Sequence, residues 1–183
     1  MVLLCLRLSR LRGQNKKAMG NNTAASSTRL LLEILDQGYE RKAWHGPNLR
    51  GSLRGISAHE AAWRPGPSRH NIWEIAVHAA YWKYVVRRRA MGEGRRGSFP
   101  LQGSNWFVRP DPNDRTKIEE RWRRDRSLLQ EEHRKLVEAV SDPMRADSLP
   151  VHMVFGIAFH DVYHAGQIQL LKRLCPGARA GSS

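Results

Sequence analysis

Two histidines four positions apart, His160 and His164, stand in the stretch FHDVYHAGQIQLLKR at residues 159–173. The stretch has the period of a buried helix, and at about 100° per residue the two imidazoles share one face. Gly156 and Gln167 fall on the same face. A histidine pair at this spacing can hold one metal ion without straining the helix, although the spacing is common by chance. The pattern indicates a candidate metal site that needs a ligand from another helix.

His78 is the candidate for that further ligand. It lies among apolar residues in IWEIAVHAAYW, where a single imidazole is more often a hydrogen-bonded core residue. Three inward imidazoles without a metal, however, would leave several buried donors and acceptors unpaired. Three neutral nitrogens and no thiolate suit zinc or nickel, with water in the remaining positions. Such an open site can activate water, or hold a thiolate or an enolate oxygen.

Three polar residues near the histidines are candidates for catalysis: Glu74, Tyr163 and Gln167. Glu74 lies one turn before His78 and could act as a general base. Its place three residues after Asn71, where it would close a capping-box-like arrangement, explains it about as well. Tyr163 and Gln167 flank the histidine pair, and they could orient a substrate or simply satisfy a polar interior.

The other histidines are weaker candidates. His59 and His70 lie in or beside turn-forming residues and are expected at the surface. His45 could reach the mouth of the fold and contact a substrate or a ligand histidine. His133 and His152 are expected to face solvent or the rim.

Four long segments with helical period must position these residues, and no segment alternates convincingly as a strand. They cover about residues 27–44, 71–91, 114–140 and 150–175. Asn71 is a good N-cap, and Pro150 suits the first turn of the last helix. We expect the long connection, residues 92–113, to lie across a groove, because loops of that length are often functional. The pattern predicts an all-α fold, an up-and-down-type four-helix bundle.

WRPGPSRHNIWEIAVHAAYWK, followed far downstream by GIAFHDVYHAGQIQLLKRL, resembles the DinB-like superfamily. The resemblance covers about residues 28–175 and includes the turn AWHGPNLRG. It implies a four-helix bundle, often a homodimer, whose three histidines bind a divalent metal. Carried over, those ligands are His78, His160 and His164. It also implies a small-molecule substrate and either a metal-dependent hydrolase or an enzyme, such as an S-transferase, that uses a low-molecular-weight thiol.

The organisation of the chain follows from its length and its charge. At 183 residues one domain is expected, with an N-terminal extension over residues 1–27, the bundle over 28–175 and a flexible tail over 176–183. The net charge of +14 is uneven, because residues 1–32 hold six basic residues and no acid. That basic start suggests organelle import. The plainer alternative, which we favour, is a disordered extension or a start codon upstream of the true one.

The composition bears on the cellular compartment, on membrane insertion and on nucleic-acid binding. Cys5 and Cys175 form no metal-binding or disulfide pattern, which favours a reducing cytoplasm. The apolar run at the start is too short to span a bilayer, so no membrane is expected. The arginine clusters are interleaved with acids and carry no recognition motif, so no specific nucleic acid is expected.

The leading hypothesis is therefore a cytoplasmic metal-dependent enzyme. A metal-stabilised binding or dimerisation module without turnover is the alternative. A large apolar pocket with an open coordination position would favour the enzyme, and a fully ligated metal would favour the module. A basic nucleic-acid-binding protein is the third hypothesis, and it predicts affinity that falls steeply with salt.

Overall fold

The computed structural model describes residues 26–93, 97, 99–111 and 116–176. These residues are largely helical and include no strand. The all-α fold class predicted from the sequence is therefore confirmed. The predicted extension over residues 1–27 lies outside the described residues except for its last two, and so does most of the predicted tail. None of the described helices combines the length and the hydropathy that crossing a bilayer requires.

The described residues form four long helices and three short ones. The long helices are α1 over residues 26–39, α4 over Ile72–Ala90, α5 over Ile118–Ser141 and α6 over Val151–Leu174. The short ones are α2 over Leu49–Ser52, α3 over Ala58–Ala62 and a 3₁₀ helix over Pro143–Ser148. The long helices correspond to the four predicted segments.

Two predicted boundaries differ from the structure. Helix α1 ends at residue 39 instead of about 44, because the backbone N–H groups of Glu40 and Arg41 both donate to the carbonyl of Asp36 and close its last turn. Helix α5 begins at Ile118, and its predicted start near residue 114 lies outside the described residues.

The predicted start of α4 is confirmed, but the predicted capping box is not. The Asn71 side chain accepts a hydrogen bond from the Glu74 backbone N–H at 2.8 Å, as an N-cap does. The Glu74 carboxylate does not return to Asn71; it pairs with Arg64 and His70 instead. A capping box does form at α3, between Ser57 and Glu60.

Helices α4 and α5 run in the same direction, which corrects the up-and-down prediction. Trp73 Nε1 donates to Asp125 at 2.8 Å, and further along both helices Arg87 Nε donates to Glu132 at 3.1 Å. Residue numbers therefore rise together in the two helices. In α6 they fall as those in α4 rise, since His78 faces His164 and Lys83 faces Asp161.

The long connection exists because a parallel pair of helices needs a crossover. Helix α4 has 19 residues, so the chain must travel back about 28 Å before α5 can begin beside it. The connection does so along α4 itself. Phe99 packs on Tyr81, the Asn105 carbonyl accepts from His78, and the Arg109 backbone N–H donates to Glu74. The connection therefore passes directly over the histidine at position 78.

A layer of buried charge divides the core into two parts. One apolar cluster holds the N-terminal halves of α4 and α5 and the C-terminal part of α6, and the other holds their opposite ends. Along each helix a buried polar residue lies between the residues of the two clusters: Lys83 on α4, His133 on α5 and Asp161 on α6. Lys83 and Asp161 form an ion pair with no exposed side-chain surface. This layer adjoins the histidine sites of α4 and α6.

Candidate metal centre

The three histidines predicted from the sequence converge on one point. His160 Nε2 lies 3.0 Å from His78 Nε2 and 3.0 Å from His164 Nε2. The three side chains form a group whose nitrogen atoms could hold a metal ion. In a tetrahedral zinc site with bonds of about 2.0–2.1 Å, ligand nitrogens lie roughly 3.3 Å apart. The observed spacing fits such an ion after a small outward movement of the rings.

The second nitrogens of two of these rings set their tautomers. His78 Nδ1 lies 2.8 Å from the carbonyl oxygen of Asn105, which can only accept a hydrogen bond, so Nδ1 carries the proton. His164 Nδ1 is placed in the same way, 2.6 Å from Gln167 Oε1. In both neutral rings the Nε2 lone pair then points toward His160. This arrangement is the one that metal-ligating histidines use.

One proton cannot satisfy the centre of the group. If His160 carries its proton on Nε2, it can donate to His78 or to His164 at one moment, and the other contact joins two lone pairs. Its Nδ1 is buried and has no hydrogen-bond partner among the described residues. A cation at the centre would satisfy all three lone pairs at once, so the donor set fits a metal ion.

Burial keeps all three imidazoles neutral. Desolvation, together with repulsion from His164 and His78, lowers the pKa of His160 to about 3. Desolvation also lowers the pKa of His164 to about 4, although Gln167 opposes the shift. The pKa of His78 is lowered for the same reason, against the hydrogen bond to Asn105. Neutral imidazole is the form that binds metals.

Trp106, which belongs to the crossover connection, covers His78. Trp106 stacks on His78 with ring centres 3.8 Å apart, and on its other side His70 stacks on Trp106 at 3.6 Å. Asn105 adds a second hydrogen bond, because its side-chain oxygen accepts from Trp82 Nε1 at 2.9 Å. The sequence did not single out Asn105 or Trp106, and only the expectation that the connection crosses a groove pointed to this segment.

Glu74 is held in an ion-pair network beside the centre. Burial opposes its ionisation, but hydrogen bonds from Arg64, from His70 and from the Arg109 backbone together hold its pKa below the usual value. The carboxylate thereby ties the start of α4 to the end of the crossover connection. These contacts favour a structural role, and the role of Glu74 as a general base stays a prediction.

Tyr163 and Gln167 form a short chain of hydrogen bonds that ends at the metal centre. Gln167 Nε2 donates to the hydroxyl oxygen of Tyr163 at 2.9 Å, while Gln167 Oε1 accepts from His164. Tyr163 is exposed, so this chain leads from His164 to the surface. The geometry gives Gln167 the task of orienting His164, and contact with a substrate stays a prediction for both residues.

A small hollow borders His160. Its volume is about 170 Å³, and its walls are mainly apolar. It is lined by Trp82, Val86, Met153, Gly156, Ile157 and His160. The hollow is small, so it does not meet the expectation of a large apolar pocket beside the metal.

The remaining histidines divide into three outcomes. His45, His59 and His152 are exposed. His70, expected at the surface, is exposed but also contacts Glu74 and Trp106 at the edge of the site. His133, expected at the rim, is buried and stacks on Tyr39 with ring centres 3.9 Å apart. The rim assignment of His133 was wrong, because the Lys83–Asp161 layer provides it with a polar neighbour inside the core.

Comparison with known families agrees with this geometry. The family model described as the DinB superfamily matches residues 43–168. The chain belongs to the DinB superfamily. The match includes all three histidines of the centre, and no curated protein and no solved structure matches the chain.

Proposed function

We propose that this DinB superfamily member is a metal-dependent enzyme in which His78, His160 and His164 hold one zinc or nickel ion. The observation that supports this proposal is the convergence of three Nε2 atoms, two with their lone pairs aimed inward by Asn105 and Gln167. The group has three members among the described residues, so a four-coordinate ion would keep one position open.

The proposed reaction is hydrolysis or transfer to a low-molecular-weight thiol. A bound divalent ion lowers the pKa of a coordinated water or thiol, and so supplies a nucleophile at neutral pH. The chain's own residues hold and shield that position. Asn105 and Gln167 orient two ligands, Trp106 covers His78, and the hollow beside His160 accepts a small apolar group of the substrate.

Two measurements test the proposal. Metal analysis of protein purified without a metal-chelating tag should find about one zinc or nickel ion per chain, since the three histidines form one site. A screen that combines thiols with electrophilic substrates, and water with ester and amide substrates, should then find turnover that a chelator abolishes. Native protein that binds no divalent ion would contradict the site. Protein that binds a full metal equivalent without any turnover would support the metal site and contradict the proposed enzyme activity.

A second candidate, a metal-stabilised dimerisation module, is favoured by the outer face of α6. Phe159, Tyr163, Leu170 and Leu174 are each more than half exposed and recur at spacings of four and seven residues. They therefore form one apolar stripe along the helix that carries the histidine pair. We propose that this stripe is the contact between two copies in a homodimer, whether or not the protein is an enzyme.

Sedimentation equilibrium of the native chain and of Leu170→Glu tests the homodimer. The native chain should sediment as a dimer, and the variant as a monomer with unchanged metal content. Leu30→Glu is the matched control, because Leu30 is a similarly exposed leucine that lies on α1, outside the stripe. A native monomer, or a Leu170→Glu dimer, would contradict the proposed contact.

A further inference from the structure

A second concave site lies away from the metal centre, between the end of α1, α2 and the first half of α5. Its volume is about 730 Å³, within the range of small-molecule sites. Five of its lining residues are basic, namely Lys42, Arg50, Arg54, Arg123 and Arg126, and one, Glu40, is acidic. We call this site the basic cleft. No residue of the metal centre lines it.

The positive charge of the basic cleft is mostly unbalanced. Glu40 forms an ion pair with Arg50, whose Nη1 lies 2.6 Å from the carboxylate. The other four basic residues form no ion pair with an acidic residue in the described part of the chain: Lys42, Arg54, Arg123 and Arg126. Five basic side chains against one carboxylate leave an excess of four positive charges in one concavity. Such a cleft concentrates field lines and attracts anions.

Arg126 carries an unused donor inside the protein. Its Nε is buried and has no hydrogen-bond partner among the described residues. Its guanidinium carbon lies 5.3 Å from the centre of the Trp122 ring. Trp122 is itself fixed, because it is buried and its Nε1 donates to the Ile56 carbonyl at 2.9 Å. A guanidinium held on such a platform presents its planar donors in a defined direction, which suits a phosphate or a carboxylate.

We propose that the basic cleft binds a small organic anion with two or more negative charges, either a phosphate ester or a polycarboxylate. Both groups offer paired oxygen acceptors to arginine, and the excess charge requires more than one negative charge. A cleft of limited volume, bounded by α2 and α5, fits a small molecule better than the backbone of a nucleic acid, which needs an extended basic stripe. This binding site is independent of the proposed metal chemistry.

Isothermal titration of the full chain at constant ionic strength tests the proposal, with fructose 1,6-bisphosphate and tricarballylate as probes. At least one probe should bind saturably with one site per chain, and the probe that binds more tightly identifies the phosphate or the carboxylate source. Arg126→Gln and Arg123→Gln should each weaken that binding at least tenfold. Arg126→Lys, which keeps the charge but loses the fork, should weaken it by less than Arg126→Gln.

Arg124→Gln is the matched control, because Arg124 neighbours Arg123 on α5, is exposed and does not line the cleft. It should leave the affinity within twofold of native. The proposal is overturned if neither probe binds saturably, or if Arg124→Gln weakens binding as much as Arg123→Gln. It is also overturned if the titrated protein loses metal in proportion to the heat, since the probe would then act by chelation, or if only a single-stranded oligonucleotide binds.

Discussion

His160 is the residue on which the candidate metal centre depends most. Its Nε2 lies between the other two ligand nitrogens, 3.0 Å from each. Its own second nitrogen has no partner among the described residues, so the ring has no competing hydrogen bond to hold it. A cation at the centre would stabilise this arrangement without a further proton.

Replacing any one ligand should therefore empty the site. His78→Ala, His160→Ala and His164→Ala should each lose most of the bound metal, because two imidazoles hold a divalent ion weakly. Each should also lower the melting temperature, since metal that binds only the folded chain stabilises it. Metal analysis and thermal unfolding with and without chelator measure both effects. His59→Ala, on an exposed side chain, is the control that should change neither.

Treatment with a chelator tests the three-histidine centre. The chelator should destabilise the native protein and leave His78→Ala nearly unaffected. If His78→Ala keeps a full metal equivalent and the native melting temperature, the three-histidine centre is wrong.

Gln167 should tune the metal affinity through His164. Gln167→Leu removes the acceptor that lies 2.6 Å from His164 Nδ1, and losses of this kind typically weaken metal binding about 10–100-fold. Gln167→Glu keeps an acceptor at the same place and should retain most of the affinity. Competition with a zinc-sensitive dye measures the zinc affinity of the native protein and of both variants. Equal affinities in the native protein and Gln167→Leu would show that the hydrogen bond does not orient the ring.

At the scale of the helices, the buried layer determines how α4 and α6 are joined. The Lys83 ammonium donates to the Asp161 carboxylate and lies 3.2 Å from His133 Nδ1 on α5. Burial lowers the pKa of Lys83 and raises that of Asp161, while the attraction between them opposes both shifts. Such a pair is weak support for stability, but removing one partner leaves an unpaired buried charge.

Lys83→Met should destabilise the fold by about 3–5 kcal/mol, the range for breaking a buried ion pair. Lys83→Met combined with Asp161→Leu should recover most of that loss, because no charge is then left in the core. Urea unfolding of the three proteins measures the difference in free energy. Arg134→Met, which removes an exposed ion-pair partner on α5, is the control and should leave the free energy of unfolding nearly unchanged. A double variant no more stable than Lys83→Met would contradict this account of the layer.

The crossover connection is the second feature at this scale. Because α4 and α5 are parallel, the chain must return along α4, and its return path places Asn105 and Trp106 on His78. The direction of the helices thus supplies the metal centre with the groups that orient and cover one ligand. An antiparallel pair with a short turn would leave His78 without them.

At the scale of the whole molecule, buried histidines make stability depend on pH. Burial, with repulsion from Lys83 and Arg50, lowers the pKa of His133 to about 2. An unfolded histidine titrates near pH 6.5. Between these values the unfolded chain binds the extra proton, so the free energy of unfolding falls as the pH falls.

His133→Gln should remove this part of the pH dependence. Glutamine keeps an acceptor for Lys83 and does not titrate. From about pH 6.5 to about pH 5, the native free energy of unfolding should fall by about 1.5 kcal/mol more than that of the variant. Urea unfolding in chelator measures it, because both proteins are then metal-free. Parallel pH profiles would show that His133 is accessible to protons in the fold.

Much of this protein was predictable from local sequence. The starts of α4 and α6 follow from Asn71 and Pro150, and the shared face of His160 and His164 follows from the 3.6-residue turn. Their combination with His78 came from chemistry, since three buried imidazoles need a common partner. These inferences succeed because each depends on residues a few positions apart, or on a requirement that holds in any fold.

The direction of α5, the burial of His133 and the contacts of Asn105 depended on contacts between segments far apart in the chain. Lys83 meets Asp161 across 78 residues, and Asn105 meets His78 across 27. Periodicity reports which face of one helix is apolar, but it is the same for a parallel and an antiparallel neighbour. Helical period also gave no sign of a polar partner for His133, because that partner, Lys83, comes from α4. The packing of distant helices therefore determined how the metal centre is covered and what surrounds the buried charge.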